Sequence, residues 1–134
     1  MKNIDDAIVF VGVAAVADYR PKEKADEKIK KDSDNFILEL IKTADIISAV
    51  ARLESRPFVV GFAAETNSIV DHGKEKLKKK NLDLLFANNA TDTFNSDSIS
   101  VTAISSGNEF EIASANKNVV AREMLKLIAE QVKS

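Results

Sequence analysis

Lysine dominates the positions of this chain whose chemistry can act on a ligand. Lys22, Lys24, Lys28, Lys30 and Lys31 follow the run Asp18-Tyr19-Arg20-Pro21, and Lys74, Lys76, Lys78, Lys79 and Lys80 crowd a second segment. An ammonium is a compact point charge, and several gathered together suit a polyphosphate. Lys76 and Lys80 are four apart, so on a helix they share a face and can close on phosphates from one side. The same pattern also fits a solvated helix end, where cations interact favourably with the helix dipole by roughly 0.3 to 1 kcal/mol. Asp18 suits an Asx turn before Arg20-Pro21, or else accepts hydrogen bonds from a base or sugar or supports a metal. Phe62 reads either as core or as a ring against a base. His72, the single histidine, falls among polar helix residues and reads as exposed. No Gly-rich phosphate loop of the Walker or dinucleotide pattern occurs.

The bulk properties narrow the classes further. A chain of 134 residues, 45% hydrophobic and 30% charged, fits one soluble globular domain. Its formal charge of −2 gives no global attraction to nucleic acid or anionic membrane, so neither is an expected partner. The absence of cysteine excludes disulfides, thiol catalysis and thiolate metal sites. With no apolar run near the ~20 residues of a membrane span and no signal-peptide pattern, the expected location is cytoplasmic.

The elements that must position these residues follow from hydrophobic periodicity. Ile8 to Val13 (IVFVGV) and Phe58 to Ala63 (FVVGFA) are unbroken apolar runs, as expected of strands covered on both faces. Leu82 to Ala87 is expected to be another strand, and Asn35 to Ile41 a mixed one. Thr43 is placed to cap a short helix bearing Ile46, Ile47, Val50 and Leu53. Thr66 is placed to cap a second helix with Ile69, Val70, Gly73 and Leu77 on one side. Asn88 to Asp97 reads as a long loop. Ile99 to Ile112 alternates about a Ser106-Gly107-Asn108 turn, and Val120, Met124, Leu127, Ile128 and Gln131 trace a closing helix. The expected fold is α/β: a Rossmann-like three-layer sandwich with a mostly parallel sheet and a C-terminal antiparallel hairpin. Ligands of such sheets sit at the carboxyl ends of strands, where Asp18, Phe62 and the Asn88 loop are expected to converge.

Five motifs, "AAVADYRP", "EKIKK", "GFAAET", "KEKLKKKNLDLLFAN" and "FNSD", stand in an order and spacing that closely resemble bacterial phosphopantothenoylcysteine synthetase. The resemblance covers nearly the whole chain from Ile8. It implies ligation of cysteine to 4′-phosphopantothenate with CTP and Mg2+, through an acyl-cytidylate, in a homodimer. It also implies a parent protein that can carry a flavin-containing decarboxylase domain. On this resemblance the CTP-contacting positions are Asp18, Lys28, the Ala44-Asp45-Ile46-Ile47 turn, Phe62, Lys76 and Lys80, with Lys28 and Lys76 catalytic. Ala14 and Ala15 match the small pair on the substrate side. The lysine clamp thereby becomes the better reading of the two lysine groups. The family's Gly-rich strand-turn-helix and its phosphopantothenate-binding Arg and Asn segment match nothing before Ile8. Residues 1–134 are therefore expected to be a single CTP-binding domain lacking the N-terminal segment. Asn89 stands where the family more often has Asp, and no metal ligand is assigned. The alternative reading is a non-catalytic nucleotide-binding or dimerisation fragment.

Overall fold

The computed structural model describes residues 4–13, 18–23, 37–90 and 97–133. The chain divides into two compact units, one made of Ala14–Ile46 and the other of Met1–Val13 with Ile47–Ser134.

The larger unit is built on a five-stranded mixed sheet. Its strands are β1 (Val9–Gly12), β4 (Phe58–Glu65), β5 (Leu84–Asn89), β6 (Ser98–Ser105) and β7 (Asn108–Asn116), neighbours in that order. The first three are parallel, and β6 and β7 run antiparallel. The hairpin is thus a continuation of the same sheet. Apolar runs in β4 and β5 serve both faces. Val59, Ala63, Leu85, Ala87 and Ile104 pack with Val50 and Ala51 of α1 (Ile46–Ala51) and Leu77 of α2 (Ile69–Lys79). The alternate residues Val60, Leu84, Phe86, Val101 and Ala103 pack with Val120 and Ile128 of α3 (Lys117–Lys133). Each Val, Leu, Ile or Phe side chain so enclosed stabilises the fold by about 1.5 to 3 kcal/mol relative to exposure. The sandwich expected from the sequence is therefore present, with helices on both faces.

Local chemistry departs from expectation at several points. Among the described strands β1 lies at the end of the sheet, and Ile8, Val11 and Val13 are exposed, so its apolar run is not covered on both faces. The cap of α2 is Ser68 rather than Thr66, with φ 45° and no side-chain capping bond. Two left-handed turns bracket that helix, since Asn81 just past its end has φ 56°. The Thr43 hydroxyl is enclosed and finds no hydrogen-bond partner among the described residues, so it does not cap α1, which starts at Ile46. β5 runs on through Asn88 and Asn89, which were expected to open a loop. They pair with Ala64 and Glu65 of β4. At the hairpin, Ser106-Gly107 forms a two-residue turn with Gly107 at φ 84°. Open space surrounds that glycine, so backbone strain alone opposes a side chain there. Two residues of β7, Ala113 and Ser114, stand against Ser100, a bulge that leaves this outer strand irregular.

The smaller unit contains a two-stranded antiparallel ribbon of β2 (Tyr19–Pro21) and β3 (Leu40–Lys42). Asp18 to Pro21 was expected to be a turn; instead Tyr19 stands opposite Lys42 and Pro21 opposite Leu40. Backbone bonds extend the ribbon at both ends, from the Lys22 N–H to the Glu39 carbonyl (3.0 Å) and from the Thr43 N–H to the Asp18 carbonyl (2.8 Å).

Candidate functional site

The residues nominated from the sequence fall into separate places. Lys28, Ala14 and Ala15 lie outside the described residues. In the smaller unit, the bond from the Thr43 N–H to the Asp18 carbonyl sets Asp18 beside the entry to Ala44, Asp45 and Ile46, all exposed. Two nominated segments, far apart in sequence, are thereby adjacent. The helix they lead into, α1, is only six residues long, too short to develop much of a macrodipole. Its Ile47 belongs to the larger unit and serves packing, with Cδ1 over Gly12 and Gly61.

In the larger unit Phe62 is not at a strand end. It is the fifth of eight residues in β4, and because β4 extends to Glu65 the strand ends three residues later. The ring stacks at a tilt on Phe86, centroids 5.5 Å apart, and remains 41% exposed. That places it on the α3 face of the sheet. Lys76 and Lys80 belong to α2 and its cap, on the other face. Phe62 and these lysines thus lie on opposite faces of this sheet.

What the structure does assemble around Lys76 is a cluster not nominated from the sequence. Glu65 ends β4 and shares the parity of Val59 and Ala63, so it points to the α2 face. One carboxylate oxygen is paired with the Lys76 ammonium, and the other lies 3.4 Å from His72 Nδ1. His72 and Lys76 are four apart, hence on one helical face. The Glu65 side chain is 13% exposed while those of Lys76 and His72 are each 44% exposed, so a mostly enclosed carboxylate pairs with a partly exposed ammonium and faces the His72 ring. The effect is to carry a lysine from the middle of α2 to the carboxyl end of β4. Lys80, one turn further along at the helix C-cap, gives its N–H to the Lys76 carbonyl (3.0 Å). A shallow depression of about 450 Å³ opens beside this cluster, between Thr66, Asn67, Ser68 and Asp71 on one side and Asn89 and Thr102 on the other. It lies where the carboxyl ends of β4 and β5 meet the start of α2, the usual ligand position in open α/β sheets.

At the opposite end of β4 the chemistry is structural. Asp83 accepts hydrogen bonds from the Val59 N–H (2.8 Å) and from Arg56, and Asn81 donates to the Ala51 carbonyl (2.9 Å). These bonds lock the return from α2 into β5 against the start of β4.

Comparison with known proteins decides the lineage. Residues 1–132 match the family described as DNA/pantothenate metabolism flavoprotein C-terminal domain. This chain belongs to that family. The coenzyme A biosynthesis bifunctional protein CoaBC of Vibrio cholerae is 40% identical over 138 residues, covering 98% of this chain and 35% of that protein. CoaBC of Escherichia coli K12 is 47% identical over 102 residues, 71% of this chain and 25% of that protein. The crystal structure of a CoaBC C-terminal domain superposes with TM-score 0.74 at 30% identity, covering 96% of this chain and 57% of that one. The chain thus spans about a third or less of the curated relatives it matches. No helix among the described residues is long and apolar enough to cross a membrane.

Within this flavoprotein C-terminal-domain family member, Glu65 is the residue that sequence reading passed over, and His72 is one that it took only as exposed. A signal for Glu65 was present: an acid closing an apolar strand, with strand parity turning it toward the next helix. For His72 the spacing to Lys76 was visible, but its partner on another element was not.

Proposed function

We propose that this chain is the nucleotide-binding part of a CTP-dependent phosphopantothenate–cysteine ligase in coenzyme A biosynthesis. The observation that carries the reading is the Lys76 ammonium, anchored by Glu65 at the carboxyl end of β4, in a chain whose relatives are coenzyme A biosynthesis proteins. Lys28, Lys76 and Lys80 bind the triphosphate. Asp18, Ala44, Asp45, Ile46, Ile47 and Phe62 contact the nucleoside, and Ala14 and Ala15 leave room for the substrate carboxylate.

The 4′-phosphopantothenate carboxylate attacks the α-phosphorus, a P–O bond forms, and the bond to pyrophosphate breaks. Negative charge gathers on the phosphate oxygens, and fixed ammonium groups stabilise it. The cysteine amine then attacks the acyl carbon of the mixed anhydride, CMP leaves, and the nitrogen loses a proton to give the amide. No nucleophilic side chain is required. Among the described residues no three histidine or acidic groups gather as a metal cage. Magnesium therefore enters this reading as the counter-ion of the triphosphate, a common mode for that cation, and no step is routed through it. The cytoplasmic location and homodimer belong to the same reading.

Calorimetric titration with CTP, with ATP and GTP as controls, tests it. Saturable binding that favours CTP is expected, and Lys76→Ala is expected to weaken it about tenfold or more, as loss of a charged hydrogen bond does. Absence of CTP binding overturns the reading. Pyrophosphate release on adding 4′-phosphopantothenate and cysteine separates a ligase from a non-catalytic binding or dimerisation fragment, which binds without release. The short span relative to the curated relatives is what keeps that second reading in view.

A further inference from the structure

We propose that Glu65 is a positioning residue, whose carboxylate holds the Lys76 ammonium in the orientation a triphosphate needs. The proposal rests on Lys76 being a phosphate ligand, as argued above. A lysine on a helix surface has a long stem and many rotamers, and ordering it on ligand binding costs entropy. Here the cost is met before ligand arrives. Glu65 is mostly enclosed, and its backbone is fixed by register with Asn89 of β5. Its second oxygen is turned toward His72 at 3.4 Å, so both oxygens are directed at one face of α2. An ammonium has three donors. One is directed to Glu65, and two are left on a side chain that is 44% exposed.

Electrostatics and positioning make opposite forecasts, and that opposition makes the idea testable. By Coulomb's law alone, removing a carboxylate beside a phosphate site tightens anion binding. If Glu65 positions Lys76, removing its charge loosens binding although the site becomes more positive. The experiment compares wild type, Glu65→Gln and Lys76→Ala by CTP calorimetry at fixed salt, with thermal melts to confirm folding. Glutamine keeps the shape of the side chain, which protects the fold. His72 is the sole histidine, so its ring NMR signals report on the cluster without nucleotide.

The expected results are a loss of CTP affinity of about threefold to tenfold in Glu65→Gln, and a shift of the His72 ring signals in both variants. Glu65→Gln binding CTP as well as or better than wild type, while Lys76→Ala binds poorly, overturns the positioning role and leaves the phosphate role of Lys76 standing. Lys76→Ala binding like wild type removes the phosphate role, and the proposal with it. Ring signals unmoved in both variants overturn the cluster itself, whether or not CTP binds.

Discussion

On the α3 face of the central sheet, Phe86 is 1% exposed and packs with Val60, Leu84, Val120 and Ile128, and among the described residues no charged side chain is buried in that layer. On the α2 face, glycines bring helix and sheet close, and the rim carries Glu65, His72 and Lys76. A methyl on Gly73 would overlap Ile104 Cδ1, and one on Gly61 would sit 2.8 Å from Leu82 Cδ1. One face is filled with large side chains; the other is set by close approach. The difference teaches that stability and ligand geometry are separable here. A change in the α3-face core away from Phe62 and the Phe86 ring beneath it should cost stability alone, while a change on the α2 face should also move α2 and the lysines it carries.

The largest effect should come from emptying the first face. Leu84→Ala, at a fully buried position of that layer away from Phe62, is expected to destabilise the fold by about 2 to 5 kcal/mol, a large part of the stability of a domain this size. Urea denaturation gives the loss, and calorimetry on the folded fraction should give unchanged CTP affinity. A large fall in affinity per folded molecule would break the separation of the two faces.

A smaller loss of stability with a larger functional consequence is expected from Gly73→Val. Overfilling a tight contact costs typically about 1 to 3 kcal/mol, and Ile104, fully buried, has little room to retreat. The clash lies between His72 and Lys74, so to the extent that α2 yields rather than the Ile104 terminal methyl, CTP affinity should fall although no ligand-contacting residue has changed. If Gly73→Val loses stability but binds CTP as wild type does, close approach on this face has no bearing on the lysines.

These contrasts were only partly legible in the sequence. The unbroken runs around Val59 and Leu84 announced strands buried on both sides, and the alternation from Ile99 announced the hairpin, because side-chain parity follows directly from strand geometry. An apolar run does not distinguish the middle of a sheet from its end, so β1 was read as covered although Ile8 and Val13 are exposed. Polar residues at a strand's end look like loop, which hid Glu65, Asn88 and Asn89 and made Phe62 seem terminal. Hydroxyl caps failed for a related reason. The left-handed backbone at Ser68 moves the start of α2 past Thr66, and no residue type there forecast that turn. The Lys76 cluster was hidden because its anchor lies on a different element, and only the packing of α2 on β4 joins them.

The smallest effect is expected at a third ion pair on α2, and it sharpens the comparison by isolating what enclosure contributes. Lys74 Nζ lies 2.5 Å from Glu109 Oε1 on β7, in the same helix as Lys76, but both side chains are largely in solvent, 54% and 41% exposed. The hydrogen bond to Glu109, and then its charge, raise the Lys74 pKa above its ordinary 10.5. A raised folded-state pKa means that whatever the pair contributes is fully present below about 10.5 and is lost as pH rises through the folded value. Water screens so exposed a pair, and such pairs contribute little. Lys74→Ala should therefore leave both the urea midpoint at pH 7 and CTP affinity unchanged within error, and remove at most a slight decline in stability above pH 10.5. A marked loss of CTP affinity in Lys74→Ala would mean that any cation on α2 serves the ligand, and that the enclosed carboxylate at Glu65 gives Lys76 no special role.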